Sequence, residues 1–390
     1  MRTLAHHPRR LAAVTTAVAM AAGALLAGGP AAATTTVRPA ADAACSADWS
    51  VMPTDSPFGD LDISLAVDAL TRSDAWSVGW AAVDGATRPL ALHFDGTSWA
   101  RTPIADPTEA VLTGVTMLAA DDVFAVGYVD VGLSETKPYA IHWNGTAWRR
   151  VGTPSTRMGT LLDVASNAAG DVWAVGMVRD AQPAMMALRF DGTRFVEVPT
   201  PAVSASFVAL TGVDVADDGF AWAVGYSTNS QVQYRPLSIH WDGTSWARQR
   251  VPDLGTEGSA LEDVVITESN RVWAVGWRTS EAGTQPIALL RDGEWFQPAP
   301  PTGEESRFES VDELPDGRIV AVGFTGSHDL GFTALSEVYD GSWHDVPAAP
   351  IAGDERFHGV ASVPGRTMTF AVGERTTEVL PNTLIERRCG

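Results

Sequence analysis

The hexapeptide Asp171-Val172-Trp173-Ala174-Val175-Gly176 decides the fold of this 390-residue chain, because variants of it recur along the sequence. Seven copies end in a glycine, at Gly79, Gly127, Gly176, Gly225, Gly276, Gly323 and Gly373. Successive glycines are separated by 47 to 51 residues. A period in this range is typical of one supersecondary unit repeated along the chain. We therefore infer the number of domains from the repeat and not from the length of the chain.

Each repeat contains four short strand-like runs, A to D. Run A carries apolar residues three apart, as in Leu161 and Val164, and a turn rich in Asp, Asn, Gly or Pro follows it. Run B is the Trp-Ala-Val-Gly segment, in which large and small residues alternate. Run C ends in an aromatic-Asp-Gly phrase such as Trp241-Asp242-Gly243, a strong hairpin signal, and run D begins at an aromatic residue such as Trp246. Four antiparallel strands in each of seven units predict an all-β, seven-bladed β-propeller.

The ends of the chain predict how the ring closes. The last repeat runs out of residues before run D, whereas Trp49-Ser50-Val51-Met52-Pro53 has the run-D pattern and precedes Trp99 by 50 residues. We therefore expect residues 45–390 to form the propeller, with the N-terminal strand completing the seventh blade. Cys45 and Cys389 both fall at the turn position that Asp95 holds in the first repeat. This coincidence predicts a disulfide at the point of closure, with two free thiols as the alternative.

The N-terminal sequence predicts that the protein is exported. Residues 1–33 combine Arg2, Arg9 and Arg10 with an uncharged, Ala-rich apolar run and a small-residue segment at residues 30–33, which is typical of a cleaved signal peptide. A membrane anchor is the alternative, but the apolar run is short for a spanning helix. Residues 34–44 have the composition of a flexible leader. We expect a secreted or cell-surface protein with no membrane span after signal cleavage.

Composition excludes several functions. The formal net charge is −20, so the surface repels phosphate backbones and nucleic acid is not an expected partner. Solubility alone is the simpler interpretation of this charge. The sequence shows no Cys or His pair at metal-ligand spacing, no phosphate loop and no nucleophile elbow. We therefore expect no metal, no cofactor and no recognisable catalytic set.

The repeat resembles the kelch repeat, which also forms the propeller domain of galactose oxidase. The resemblance rests on a strand ending in glycine, an aromatic-Asp-Gly turn and a tryptophan that opens the outer strand, and it covers residues 45–390. It differs in having one glycine after run B, where kelch repeats usually carry two. The resemblance implies the fold but not the activity. The copper site of galactose oxidase cannot be mapped, because both cysteines are assigned to closure and Tyr339 is a hairpin position.

Two sets of residues depart from the repeat and are candidates for function. The first lies where run A begins, beside the central channel. It is predominantly acidic and consists of Asp163, Glu262, Asp263, Glu309 and His358. Such a group could hold a cation, a basic group or sugar hydroxyls, and crowded carboxylates raise one another's pKa as acid–base sites require. Solvated loop carboxylates are the alternative interpretation.

The second set follows the repeat glycines and starts the loops between runs B and C. Its members are the aromatic residues Trp80, Tyr128, Tyr226, Trp277 and Phe324. Variable loops on a rigid scaffold are where binding usually occurs, and aromatic rings there can stack on sugars or grip a peptide. Packing between adjacent blades is the alternative interpretation.

These patterns favour an exported, monomeric binding or scaffold propeller that recognises a glycan or a protein through its loop face. The alternative is an enzyme acting on extracellular polysaccharide, a lyase or hydrolase that uses the acidic residues as acid and base. A purely structural subunit of a larger assembly is a third hypothesis.

Overall fold

The computed structural model describes residues 45–54, 61–106, 108–132, 135–154, 156–180, 182–252, 254, 257–281, 283–299, 301, 305–327, 331–376 and 380–390. These residues form 28 β-strands and no helix. The strands make seven antiparallel sheets of four strands each, which confirms the predicted seven-bladed β-propeller. The predicted signal peptide (1–33) and leader (34–44) lie outside the described residues. Among the described residues, no helical segment has the length and apolarity that a bilayer crossing requires.

We number the blades in chain order and letter their strands A to D from the channel outwards. The strands are as follows. Blade 1 contains β2 (Asp62–Thr71), β3 (Asp74–Val83), β4 (Ala86–Phe94) and β5 (Trp99–Arg101), and blade 2 contains β6 (Ala110–Ala119), β7 (Asp122–Gly132), β8 (Glu135–Trp143) and β9 (Trp148–Arg150). Blade 3 contains β10 (Gly159–Ser166), β11 (Val172–Val178), β12 (Ala184–Phe190) and β13 (Phe195–Glu197), and blade 4 contains β14 (Phe207–Val215), β15 (Ala221–Thr228), β16 (Tyr234–Trp241) and β17 (Trp246–Gln249). Blade 5 contains β18 (Gly258–Ile266), β19 (Val272–Ser280), β20 (Gly283–Asp292) and β21 (Glu294–Phe296), and blade 6 contains β22 (Ser306–Glu313), β23 (Ile319–Ser327), β24 (Gly331–Tyr339) and β25 (Trp343–Asp345). Blade 7 contains β26 (Asp354–Ser362), β27 (Met368–Thr376), β28 (Pro381–Cys389) and, from the N-terminus, β1 (Ser50–Val51).

The hydrophobic core lies between blades, because the repeat aromatic residues pack across each junction. Trp173 on strand B of blade 3 contacts Trp241 and Trp246 of blade 4, with ring centroids 4.9 and 5.1 Å apart. The same pattern places Trp76 of blade 1 against the aromatic pair of blade 2 and Phe370 of blade 7 against that of blade 1. The recurrent tryptophans of the sequence therefore serve the contacts that hold neighbouring sheets together.

The N-terminal strand closes the ring as predicted. Ser50 and Val51 pair with Arg387 and Glu386 of β28. Trp49 is buried, and its indole N–H donates to Ser336 Oγ of blade 6 at 3.2 Å. Cys45 and Cys389 form a disulfide with Cα atoms 5.4 Å apart, which confirms the predicted pairing. The bond replaces the covalent hairpin that joins strands C and D in the other blades.

Candidate functional site at the loop face and channel mouth

A β-bulge in every strand A determines which side chains reach the channel. In all seven blades the pairing of strands A and B shifts by one residue next to the repeat glycine, so one residue of strand A has no partner. An extra residue of this kind bends the strand and redirects its side chain. The loops between strands B and C lie at one end of the propeller, which we call the loop face. The bulged residues lie at this end, and they are Leu65, Thr113, Leu162, Thr211, Glu262, Glu309 and His358. All seven side chains line the channel mouth. Their chemical type changes from blade to blade, because the position is aliphatic in two blades, a threonine in two, a glutamate in two and a histidine in one.

The bulge also explains why the repeat residue is glycine. A Cβ atom on Gly276 would lie against the carbonyl oxygen of Ala260, far inside van der Waals distance. The same contact with the strand-A backbone recurs at the other six repeat glycines. Glycine is therefore required by a close backbone approach at the bulge.

Glu262, Glu309 and His358 meet in a cavity of about 300 Å³ at the channel mouth. His358 Nδ1 lies 3.9 Å from Glu309 Oε2, and His358 Nε2 lies 3.9 Å from Glu374 Oε1. Burial lowers the pKa of His358, but the carboxylates of Glu309 and Glu374 raise it by more than burial lowers it. The resulting pKa of His358 is about 9. The imidazole is therefore protonated at neutral pH, and it bridges two acidic side chains of blades 6 and 7.

Glu262 lies in surroundings that oppose its ionisation. Burial and the negative charge of Glu309 raise the pKa of Glu262 to about 8, so this carboxyl is protonated at neutral pH. Trp277 Nε1–H donates to Glu262 Oε1 at 2.7 Å. One hydrogen bond thus joins a member of the predicted acidic set to a member of the predicted aromatic set.

Asp163 and Asp263 follow the bulge and connect neighbouring blades. Asp163 Oδ2 accepts a hydrogen bond from Val213 N of blade 4 at 2.9 Å, and Asp263 Oδ2 accepts one from Val311 N of blade 6 at 3.0 Å. Burial raises the pKa of both carboxyls, and for Asp163 the charge of Asp263 adds to the effect. Both side chains line the cavity, and their role in binding a ligand stays a prediction.

Three further aspartates make the same kind of link two positions further along strand A. Asp68, Asp214 and Asp312 each accept a hydrogen bond from a backbone N–H of the next blade, at 2.7, 2.6 and 2.6 Å. Burial raises the pKa of Asp68 and Asp214 to about 6 and that of Asp312 to about 7. These carboxyls hold the ring of inner strands together along the channel.

The predicted aromatic residues occupy the same level of strand B in their blades. Tyr226 stacks on Phe207 at 5.7 Å and contacts Tyr234, which in turn packs edge-on against Trp277 at 4.9 Å. Phe324 on blade 6 is buried and contacts Phe332 at 5.3 Å. Trp80 and Tyr128 are half-buried on blades 1 and 2. The structure thus groups the aromatic residues of blades 4 and 5, whereas Phe324 pairs with Phe332 within blade 6.

Two arginines that the sequence analysis did not single out complete the site. The guanidinium of Arg307 lies 4.3 Å above the ring centroid of Phe324, and that of Arg356 lies 3.7 Å from the ring centroid of Phe332. Arg307 Nε lies 2.8 Å from Glu309 Oε1, and Arg356 Nη1 donates to Glu374 Oε1 at 3.0 Å. Both arginines line a loop-face cavity of about 280 Å³, here called the arginine cavity.

A closer comparison of the repeats would have found these arginines. They stand four residues before the repeat valine of strand A, where the first five blades carry small or aliphatic residues. These are Ile63, Val111, Thr160, Ala209 and Ala260. A charged residue at that position only in blades 6 and 7 breaks the repeat. The break distinguishes blades 6 and 7 from the other five blades.

The described residues contain no group of three or more His, Cys, Asp or Glu side chains arranged to hold a metal ion. The arrangement instead offers a protonated carboxyl, a protonated imidazole and two guanidinium groups beside aromatic rings. These groups donate hydrogen bonds and attract anions or polar hydroxyls.

Comparison with known proteins establishes the fold but no family. No protein-family model matches the chain, and no curated protein does. Solved structures match across most of its length. A structure of YCF48 bound to D1 peptide is 13% identical with a TM-score of 0.53, covering 87% of this chain and 98% of that one.

Two further structures show the same likeness. The extracellular domain of a putative hybrid two-component system from B. thetaiotaomicron is 8% identical with a TM-score of 0.54, covering 87% of this chain and 39% of that one. The β-propeller domain of Cps50 (Swd1) from Myceliophteria thermophila is 12% identical with a TM-score of 0.52, covering 84% of this chain and 97% of that one. At these identities the likeness shows the seven-bladed propeller fold alone, and membership of the kelch family stays a prediction.

Proposed function

We propose that this protein is an exported binding propeller that recognises a glycan or a protein through its loop face at blades 5 to 7. The observation that carries the proposal is the arginine cavity, where two guanidinium groups lie over aromatic rings at a strand-A position that is uncharged in the other five blades. Repeat residues maintain the scaffold, so departures confined to one sector indicate where selection acts on something other than folding.

The chemistry of the cavity suits a polar ligand that carries acidic groups. Arg307 and Arg356 are each held by a carboxylate on one side and by an aromatic ring on the other. A guanidinium fixed in this way keeps further N–H groups for a ligand and loses little side-chain entropy on binding. Aromatic rings at the same place offer a surface for a sugar ring or an apolar side chain.

Two observations support binding outside the cell. The disulfide between Cys45 and Cys389 is of a kind that persists in oxidising compartments. Among the similar structures, one is the extracellular domain of a putative hybrid two-component system and another is YCF48 bound to D1 peptide. Those properties belong to these other proteins, and they show that the fold is compatible with extracellular placement and with peptide binding.

Binding to a panel of immobilised neutral and acidic polysaccharides tests the proposal. We expect wild-type protein to retain one class of ligand, with affinity lowered about ten-fold or more by Arg307→Ala or Arg356→Ala, since each removes a directed cationic contact. Arg149→Ala, an exposed arginine on strand D of blade 2, is the matched control and keeps full affinity. Equal retention of all four proteins would refute the loop-face site.

The protonated Glu262 favours a second function, catalysis on polysaccharide. A carboxyl with a pKa of about 8 can donate a proton at neutral pH, and Glu309 and Asp263 lie in the same cavity as candidate bases. Under this hypothesis the purified protein releases sugar products from one polysaccharide of the panel. Glu262→Gln abolishes that release without weakening substrate retention, whereas the binding proposal expects retention with no products.

A further inference from the structure

A second break in the repeat lies inside the propeller, on strand C. One position of this strand faces the core and is aliphatic in blades 1 to 5, where the residues are Leu92, Ile141, Leu188, Ile239 and Leu289. Blades 6 and 7 carry Glu337 and Glu386 at the same position. Both glutamates have 0% of their surface exposed. Two adjacent blades have thus replaced a core aliphatic side chain with a buried carboxyl.

A third buried glutamate joins them. Glu355, in β26, has only 5% of its surface exposed. Glu337 and Glu355 line a cleft of about 380 Å³ between blades 6 and 7, and Asp345 lies at its exposed edge. Glu386 stands directly behind the wall, where its Oε2 accepts a hydrogen bond from the backbone N–H of Ala349, a lining residue. We call this cavity the acidic cleft.

Two glutamates at the acidic cleft each keep one carboxyl oxygen without a hydrogen-bond partner. Glu355 Oε1 and Glu386 Oε1 are buried and have no hydrogen-bond partner. The nearby basic residue Arg375 lowers the pKa of Glu355, but burial raises it more, to about 7. Burial and the charge of Glu355 likewise raise the pKa of Glu386 to about 7. Buried oxygens without partners cost stability, so their presence at core positions calls for a ligand or a proton.

The shape of the acidic cleft selects among cations. The described acidic residues do not cluster in an arrangement that holds a metal ion. Hydroxyl-bearing residues line one part of the cleft and an apolar wall forms another, with Leu335, Ala348 and Ile351 among its members. An apolar wall accommodates the methylene stem of a long basic side chain, and separated carboxyls match the several N–H donors of its charged end.

We propose that the acidic cleft between blades 6 and 7 binds a lysine or arginine side chain of a partner protein. The cleft shares Ser306 with the arginine cavity, so a partner seated there would lie beside that cavity. Apart from Ser306, this inference concerns different residues from the proposed function, and it does not depend on it.

Titration with tetralysine, followed by calorimetry at low salt, tests the inference. We expect saturable one-to-one binding to the wild-type protein. Glu355→Gln and Glu337→Gln keep the shape of the side chain and replace the carboxyl group by an amide, and each weakens binding about ten-fold or more, or roughly 1.4 kcal/mol. Glu294→Gln, at an exposed position of blade 5, is the matched control and binds as the wild type does.

Proton release distinguishes the cleft from general attraction to an acidic surface. A cation binds the ionised carboxylates, so binding at pH 7 displaces protons from groups whose pKa is about 7, and the affinity falls as the pH is lowered to 6. Fully N-acetylated tetralysine does not bind if the ammonium groups are required. Arg356→Ala removes a positive charge next to Glu355 and therefore does not weaken tetralysine binding, although it weakens binding at the arginine cavity. Failure of the arginine cavity and failure of the acidic cleft thus give different results.

Three outcomes would overturn the inference. Binding that is equally weak in the wild type and in all three glutamine variants would indicate attraction to the net negative charge alone. Binding retained by the acetylated peptide would remove the need for a cation. Absence of any saturable binding at low salt would mean that the carboxyls of the cleft are satisfied by protons only.

Discussion

The functional proposals for this protein rest on single residues that break the repeat. Glu262 and His358 were identifiable from the sequence because they replace neutral residues at one position of strand A. Glu337 and Glu386 were not identified, since they lie within strands whose ends match the repeat and their burial is visible only in the structure. Alignment of the repeats therefore shows which residues depart from the pattern, and the structure shows which of these residues are buried.

Replacing Glu386 by glutamine tests whether its burial costs stability. Glutamine keeps an acceptor for Ala349 N–H and removes the charge. Because the pKa of Glu386 is raised to about 7, the ionised form opposes folding above that pH and is largely absent at pH 5. We expect Glu386→Gln to raise the free energy of unfolding by roughly 1–3 kcal/mol at pH 8 and by little at pH 5.

Denaturant titrations at the two pH values measure this effect. Glu294→Gln, which changes the same charge on the surface, is the control and leaves stability nearly unchanged. A variant that is less stable than the wild type at pH 8 would show that the buried carboxylate has a compensating partner.

At the scale of one element, the bulge of strand A links the repeat glycine to the channel. Sequence periodicity predicted strands A and B and placed Glu262, Glu309 and His358 near the channel. It did not predict the bulge, because the extra residue leaves no sign in a pattern of apolar residues three apart. The glycine of strand B was the available signal, since only a close backbone approach excludes every side chain at seven equivalent positions.

Alanine at a repeat glycine is expected to be costly. In Gly276→Ala the new Cβ would collide with the carbonyl oxygen of Ala260, and relief requires moving the bulge that presents Glu262. We expect a loss of roughly 2–4 kcal/mol in the free energy of unfolding, measured by denaturant titration, as for other overpacked sites. Gly152→Ala is the control, because its Cβ would meet only the Arg194 side chain at 3.3 Å and should cost under about 1 kcal/mol. Equal costs at the two positions would contradict the role of the bulge.

At the scale of the whole molecule, closure of the ring depends on a short strand and one covalent bond. The strand β1 contributes only two paired residues to blade 7. The disulfide joins residues 344 positions apart, so it restricts the unfolded chain strongly. The sequence predicted this closure because Trp49 and Cys45 keep the spacing of strand D and its preceding turn. The sequence did not predict the hydrogen bonds that Asp68, Asp214 and Asp312 accept from backbone N–H groups of neighbouring blades.

Reduction of the disulfide is expected to weaken the whole propeller. We expect Cys45→Ser/Cys389→Ser, or wild-type protein in reductant, to lose on the order of 5 kcal/mol of unfolding free energy. Denaturant titration with and without reductant measures the loss, and reductant should have no effect on the double variant. An unchanged midpoint for the reduced wild type would show that β1 closes the ring without the bond.

Stability is expected to fall as the pH rises. The pKa values of Asp68, Asp214 and Asp312 are raised to about 6 to 7, so the folded state binds their protons more tightly than the unfolded state does. Their favourable contribution is complete below the unfolded pKa near 4 and is lost as the pH rises to about 7. The raised pKa of His358 acts in the same direction up to about pH 9. Denaturant titrations across this range that show stability increasing with pH would contradict the assignment of these groups.

Hydrogen–deuterium exchange of the protein with and without the tightest ligand of the polysaccharide panel tests the location of binding most directly. We predict that the ligand slows exchange at the loop-face ends of strands A and B in blades 5 to 7, which are residues 258–263, 276–281, 305–310, 323–327, 354–359 and 373–376. The turns between strands A and B, which lie at the opposite end of the blades, exchange at an unchanged rate. Slower exchange confined to blades 1 to 3, or to the opposite face, would contradict the proposed site.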